Sequence, residues 1–261
     1  MGRVANKVAI VTGAAGGVGK ADAIVLAREG AKIVVTDLNE KDGQATARQI
    51  NDKQGDGTAL FIKHDIAAED DWKAVVAKTE ETFGGVDILV NNAAILQYGT
   101  IEDTDLATWQ KVQRINSDGY FLGCHHGYAA MRKRGGGSIV NMSSISGIRG
   151  VSSFCAYSAS KGAVAALTRS IAAHSRMNLH KIRCNSIHPD GIMTPMVANL
   201  MGSMPKGKQT QVRMMDQKQM MARFATPEQI ADLVLYLASD ESSFVNGVEM
   251  RIDNGYSMWG D

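Results

Sequence analysis

No uncharged apolar run in the 261 residues approaches the length of a membrane span, so a bilayer is not an expected partner. The opening residues lack the apolar stretch of a signal peptide, and Gly13, Gly16, Gly17 and Gly19 soon interrupt them. Met1-Gly2 begins like a myristoylation signal, but position 6 is Asn6 where that signal needs Ser or Thr. Charge of one sign is missing as well. With 28 Lys and Arg against 27 Asp and Glu the net charge is +1, and no basic run stands out, which argues against nucleic acid. Cysteine is scarce. Cys124, Cys155 and Cys184 lie far apart without CxxC spacing, which fits reduced thiols in a cytoplasmic protein better than a disulfide frame. His64, His125, His126, His174, His180 and His188 show no ligand spacing with Cys or carboxylates, so no metal is expected.

What is present is ordinary globular composition, with 44% hydrophobic and 21% charged residues, and a length that one α/β core can serve over 1–261. Short β-rich runs are predicted at Val8–Thr12, Lys32–Thr36, Thr58–Lys63, Ile88–Asn91, Ser138–Met142, Ile182–Ile187 and Val248–Ile252. Several are continuous apolar runs, as expected of parallel strands covered on both faces. Helical patterns alternate with them at Val18–Glu29, Glu40–Gln54, Glu69–Phe83, Leu106–Lys133, Phe154–Met177 and Pro227–Ala238, the last capped by Thr226 with Pro227 at its first position. Right-handed crossovers in a β-α-β-α order lead to a single doubly wound Rossmann domain, a seven-stranded parallel sheet with helices on both faces.

The first predicted strand runs into Thr12-Gly13-Ala14-Ala15-Gly16-Gly17-Val18-Gly19 and a helix follows. Glycines let the backbone turn tightly against a pyrophosphate, and the helix N-terminus supplies free N–H groups and a positive dipole end. A triphosphate P-loop would need Gly at position 14 and Ser or Thr at position 21, and both are alanine. Asp37 ends the second strand, 18 residues beyond Gly19, where a carboxylate can accept from an adenosine ribose or cap the next helix. Leu38 and Asn39 follow it, so no arginine stands ready for a 2′-phosphate, and NAD is expected over NADP.

Tyr157 and Lys161 share a helix face at spacing i, i+4. A neighbouring ammonium is expected to lower a phenol below its ordinary value of ~10 and make it useful as an acid and base. Ser144, at the end of a strand, lies 13 residues earlier, and strand C-termini are where open α/β sheets bind ligands. Asn116 interrupts the long helical stretch, as a satisfied buried amide or as a holder of a relay water.

Together, TGxxxGxG at 12–19, Asp65, Asn91-Asn92-Ala93-Ala94, Asn116, Ser144 and YxxxK at 157–161 resemble the classical short-chain dehydrogenase/reductase family over essentially the whole chain. The resemblance implies a catalytic tetrad of Asn116, Ser144, Tyr157 and Lys161. Tyr157 would exchange the proton with the substrate oxygen, and Ser144 would hydrogen-bond that oxygen. Lys161 would bind the nicotinamide ribose, and Asn116 would hold a water linking Lys161 to solvent. It implies cofactor contacts from Gly13, Gly17, Val18, Gly19, Asp37, Asp65, Ile66, Asn92, Tyr157, Lys161, Ile192 and Thr194, with NAD as cofactor, and a homotetramer. Two departures are Ala94, where the family has Gly, and Asp190 within His188-Pro189-Asp190-Gly191, where it has Pro-Gly. The His-Pro-Asp-Gly stretch and the following Thr194-Pro195-Met196 are similar to bacterial 3β/17β-hydroxysteroid dehydrogenases. The opening and glycine turn are similar to cyclic-alcohol dehydrogenases.

Eight of the 14 methionines fall between 193 and 221. Methionine suits adaptable apolar pockets, so a substrate lid is expected over 193–224, serving a small hydrophobic secondary alcohol or ketone. Two other readings stand beside this one. A 3-ketoacyl-thioester reductase would want basic residues for a carrier protein. A non-catalytic dinucleotide sensor would be expected to lose a tetrad member.

Overall fold

The computed structural model describes residues 2–194, 196–197 and 223–258. Seven strands, all parallel, make one sheet: β1 (Val8–Thr12), β2 (Lys32–Asp37), β3 (Ala59–Lys63), β4 (Ile88–Asn91), β5 (Gly137–Met142), β6 (Ile182–Pro189) and β7 (Glu249–Ile252), in the spatial order β3-β2-β1-β4-β5-β6-β7. The chain reverses its winding between β1 and β4, which opens a crevice beyond their C-terminal ends. Alternate residues of each strand serve opposite faces. Ala9 and Val11 join one core with α1 (Gly17–Arg28), α2 (Glu40–Gln54) and α7 (Pro227–Ala238). Ile10 joins the other, with α3 (Glu69–Phe83), α5 (Gly119–Arg134) and α6 (Cys155–Met177). Burial on both faces explains why β1 reads as an unbroken apolar run.

The expected seven-stranded doubly wound fold is therefore present, and local signals account for its element ends. Thr226 and Gln229 form a reciprocal capping box at α7, with Pro227 in the first turn. Asn39, not Asp37, caps α2 by accepting from the Asp42 N–H.

The predicted helix over Leu106–Lys133 is three pieces: α4 (Leu106–Gln113), a π-helical turn (Arg114–Asp118), and α5. Such turns insert an extra residue into an α-helix and re-aim side chains. Here the turn carries the fully buried Asn116. No helix among the described residues is long and apolar enough to cross a membrane.

Candidate active site

One cavity of about 990 Å³ runs along the C-terminal edge of the sheet. Its lining brings together Gly13, Gly17, Val18, Asp37, Asp65, Ile66 and Asn92 with Ser144, Tyr157, Lys161, Ile192 and Thr194, and Thr194 stands against the glycine turn, 3.5 Å from where a Cβ on Gly17 would lie. Gly19 and Asn116 are not among its lining residues.

The glycine turn is shaped by contact. A Cβ on Gly19 would stand 2.5 Å from the Gly13 carbonyl oxygen and 2.6 Å from Asn92 Nδ2. Gly13 has φ +68, and a Cβ there would stand 2.9 Å from Ala93 Cα. No side chain caps α1, so its first N–H groups face the cavity. Asn92 holds the turn, donating to the Thr12 carbonyl at 2.9 Å. Asp37 accepts from Ala15 N at 3.1 Å and Asn39 N at 2.9 Å, which fixes its carboxylate beside the turn. Asp65 Oδ1 likewise accepts from Ala67 N at 2.9 Å. This cradle fits a dinucleotide: a close-approach turn, an uncapped helix N-terminus, and a fixed carboxylate one strand away.

Ser144 caps a short 3-10 turn, its Oγ accepts from Ser146 N at 3.1 Å, and its hydroxyl is within hydrogen-bonding reach of the Tyr157 phenol. Tyr157 faces it from the first turn of α6. Lys161 is 1% exposed, with no carboxylate bonded to it. Its ammonium donates to the Met142 carbonyl at 2.6 Å and to the Tyr120 hydroxyl at 3.1 Å, over the Tyr120 ring.

Burial reverses the expected order of pKa effects. Burial pushes Tyr157 up to about 12, against a smaller opposing influence of the Ser144 hydroxyl. Burial brings Lys161 down to about 7. The cation expected to stabilise phenolate lies 5.6 Å from the Tyr157 ring centre and is spent on a carbonyl and a second phenol.

Asn116 is held by three hydrogen bonds. Its Oδ1 accepts from Ile95 N at 2.9 Å, and its Nδ2 donates to Ile95 O at 2.9 Å and to Ser160 Oγ at 3.2 Å. Both amide donors are engaged, so the side chain ties the loop after β4 to α6.

Asp190 has a partner that the sequence did not announce. Arg223 grips it through Nε at 2.7 Å and Nη2 at 3.1 Å and lies 3.8 Å from the Tyr256 ring centre. Beside the pair, Ile192 and Ala225 form an isolated parallel bridge, with Met193 N donating to Ala225 O at 3.0 Å. Entry and exit of the expected lid are thus joined. Met196 lines the cavity, while Met201, Met204, Met214, Met215, Met220 and Met221 lie outside the described residues. Tyr120, Ser160, Arg223 and Tyr256 were missed from the sequence. Only Tyr120 left a trace, at i, i+4 from Asn116.

A dinucleotide cradle joined to a Ser-Tyr-Lys cluster on a doubly wound sheet defines a class of nicotinamide-dependent oxidoreductases, and the chain belongs to one of them, the short-chain dehydrogenase/reductase family. Residues 13–257 match the family model described as Enoyl-(Acyl carrier protein) reductase. The 3-beta-hydroxysteroid dehydrogenase of Comamonas testosteroni is 44% identical over 97% of this chain and 96% of its own length. The trans-4-hydroxycyclohexanecarboxylate dehydrogenase of Sinomonas cyclohexanicum is 42% identical over 97% and 93%. The NADP-dependent (R)-specific alcohol dehydrogenase of Lentilactobacillus kefiri is 40% identical over 98% of each chain.

Proposed function

We propose that the protein interconverts a hydrophobic, cyclic or steroid-like secondary alcohol and its ketone, with NAD as cofactor and Tyr157 as general acid and base. The observation that carries this reading is that one cavity is lined by the glycine cradle and Asp37 together with Ser144, Tyr157 and Lys161. When bound, the nicotinamide supplies the hydride or takes it up. The residues here do the rest. Gly13, Gly17, Val18, Gly19 and Asn92 shape and line the pyrophosphate cradle, Asp65 and Ile66 line the adenine side, and Ile192 and Thr194 line the nicotinamide side. Ser144 donates to the substrate oxygen, and Tyr157 gives that oxygen its proton in reduction and removes it in oxidation. Lys161, neutral or charged near physiological pH because burial holds it at about 7, is suited to pass a proton to and from Tyr157. Asn116 holds the loop at Ile95 against α6 and belongs to the relay by position.

Asp37 supports NAD. Two like charges ~4 Å apart repel by ~4 kcal/mol at an effective dielectric of ~20, which corresponds to about three decades before screening. The hydroxysteroid and hydroxycyclohexane relatives and the cavity-lining Met196 support a bulky apolar substrate. Exposed Leu106, Trp109 and Phe121 on α4 and α5 support a homo-oligomer.

The test is a turnover screen with NAD and NADP over cyclohexanol, cyclopentanol, 3β- and 17β-hydroxysteroids, ethanol and acetoacetyl thioesters. Cyclic alcohols with NAD are expected to give the highest kcat/KM. Preference for acetoacetyl thioesters would move the protein to the thioester-reductase reading. NADH binding without turnover of any ketone would make it a sensor.

A further inference from the structure

His188 takes no part in the roles above. It is the penultimate residue of β6, which ends at Pro189, beside the end of β5 that leads to Ser144. The side chain is fully buried. Its Nδ1 lies 3.0 Å from the main-chain oxygen of Ser144, and its Nε2 lies 2.9 Å from Ser186 Oγ.

The partners settle the tautomer. A carbonyl oxygen only accepts, so Nδ1 carries the proton and donates. Burial holds the ring below the ordinary imidazole value, so the other nitrogen is a bare acceptor, filled by the Ser186 hydroxyl. Glu249 Oε2, at 3.9 Å from Nε2, is beyond hydrogen-bond reach, and the other oxygen of that carboxylate is held by Arg169.

Ser144 is thereby fixed at both ends. Its carbonyl takes a hydrogen bond from Gly147 N at 2.9 Å and one from His188, and its Oγ takes one from Ser146 N at 3.1 Å. The first and third come from the same short turn and move with it. His188 comes from a neighbouring strand of the sheet and ties that turn to the rigid scaffold.

We propose that His188 is a positioning residue for Ser144, its Nδ1–H holding the serine's main-chain carbonyl so that the Oγ–H meets the substrate oxygen at a fixed angle. This rests on the reading that Ser144 contacts that oxygen. Displacements of about 1 Å in such groups cost up to about a hundredfold in rate.

Asparagine carries an N–H at the reach of Nδ1, and glutamine carries one at the reach of Nε2. The full chain is therefore made as His188→Asn, His188→Gln, Ser186→Ala and Ser144→Ala. Each is assayed for kcat on the best alcohol of the screen and for NADH Kd by fluorescence. His188→Asn is expected to keep kcat within about threefold, and His188→Gln to lose about ten- to a hundredfold, both with NADH Kd unchanged. Equal kcat for the two, or a rise in NADH Kd that matches the loss of kcat, overturns the proposal. If His188→Gln does not fold by near-UV circular dichroism, Ser186→Ala decides. It leaves Nε2 without its donor, and kcat should fall about threefold or more at constant NADH Kd, whereas unchanged kcat overturns the proposal. Ser144→Ala separates the two levels. Full activity in it defeats the role of Ser144, and His188 with it. Loss in Ser144→Ala beside silent His188 variants defeats His188 alone.

Discussion

Lys161 is an unusual residue to find at 1% exposure without a carboxylate beside it. Its pKa falls from 10.5 to about 7, so between those values the unfolded chain binds the proton that the folded chain has shed. Stability therefore rises with pH across that window, and the penalty for burying the cation is fully present below about 7. Tyr157 acts oppositely at the alkaline end: raised from 10.0 to about 12, it withdraws stability as pH climbs between those values. Lys161→Met should thus raise Tm by several degrees at pH ~6.5, on the order of 1–3 kcal/mol, with the gain shrinking toward pH ~10. The change leaves no orphaned acceptor, because the Met142 carbonyl keeps the Tyr120 hydroxyl at 3.1 Å. A thermal melt series at several pH values reads this directly, and turnover should be lost in the same variant. Tyr157→Phe is the complementary case: turnover should drop at least a hundredfold with NADH Kd within about threefold, because the lost group moves a proton and the ring remains. More than a tenth of wild-type activity would remove Tyr157 from its role.

At the scale of elements, the glycine turn and the lid stems make separate claims. Gly19→Ala forces a methyl to within 2.5 Å of the Gly13 carbonyl, so the turn must open. NADH affinity should fall at least about tenfold while the far-UV spectrum of the folded protein is kept. Asp37→Ser should bring the NADP and NAD specificity constants together by one to about three decades. Kinetics with both cofactors measure the gap, and an unchanged ratio would deny Asp37 the ribose. Asp190 and Arg223 should couple: in a double-mutant cycle of Asp190→Asn and Arg223→Gln, the interaction energy in kcat/KM should be about 0.5–3 kcal/mol.

The strands, the glycine turn and the caps could be read from the sequence because their signals are local. An apolar run, a glycine cluster, or Thr226 three residues before Gln229 each carries its own message. The π-helical turn could not, since one extra residue at Arg114–Asp118 leaves a helical pattern intact on either side. The pair of Tyr157 and Lys161 was visible in its spacing, but the direction of its pKa values was not. That direction depends on burial, which the tertiary packing around the two side chains decides. Asp190 stood out only as an unexpected residue; its partner is 33 positions away.

For the molecule as a whole, the same phenol should impose opposite pH trends on the two directions of reaction. Held at about 12, Tyr157 keeps its proton through neutral pH, so ketone reduction should be level there and fall at alkaline pH. Oxidation must first remove that proton and should rise across the interval bounded by Lys161 at about 7 and Tyr157 at about 12. Stopped-flow hydride transfer in both directions reads this; parallel trends would contradict the assignment. The bridge between Ile192 and Ala225, with Asp190 and Arg223 clasped beside it, has an evolutionary side too. Because the two chain ends are already pinned together, doubling the length of what runs between them adds only about 0.6 kcal/mol of closure entropy. Nature, or an engineer grafting cassettes between those anchors, can therefore change the length of the intervening chain at little cost in closure entropy while the sheet is inherited unchanged.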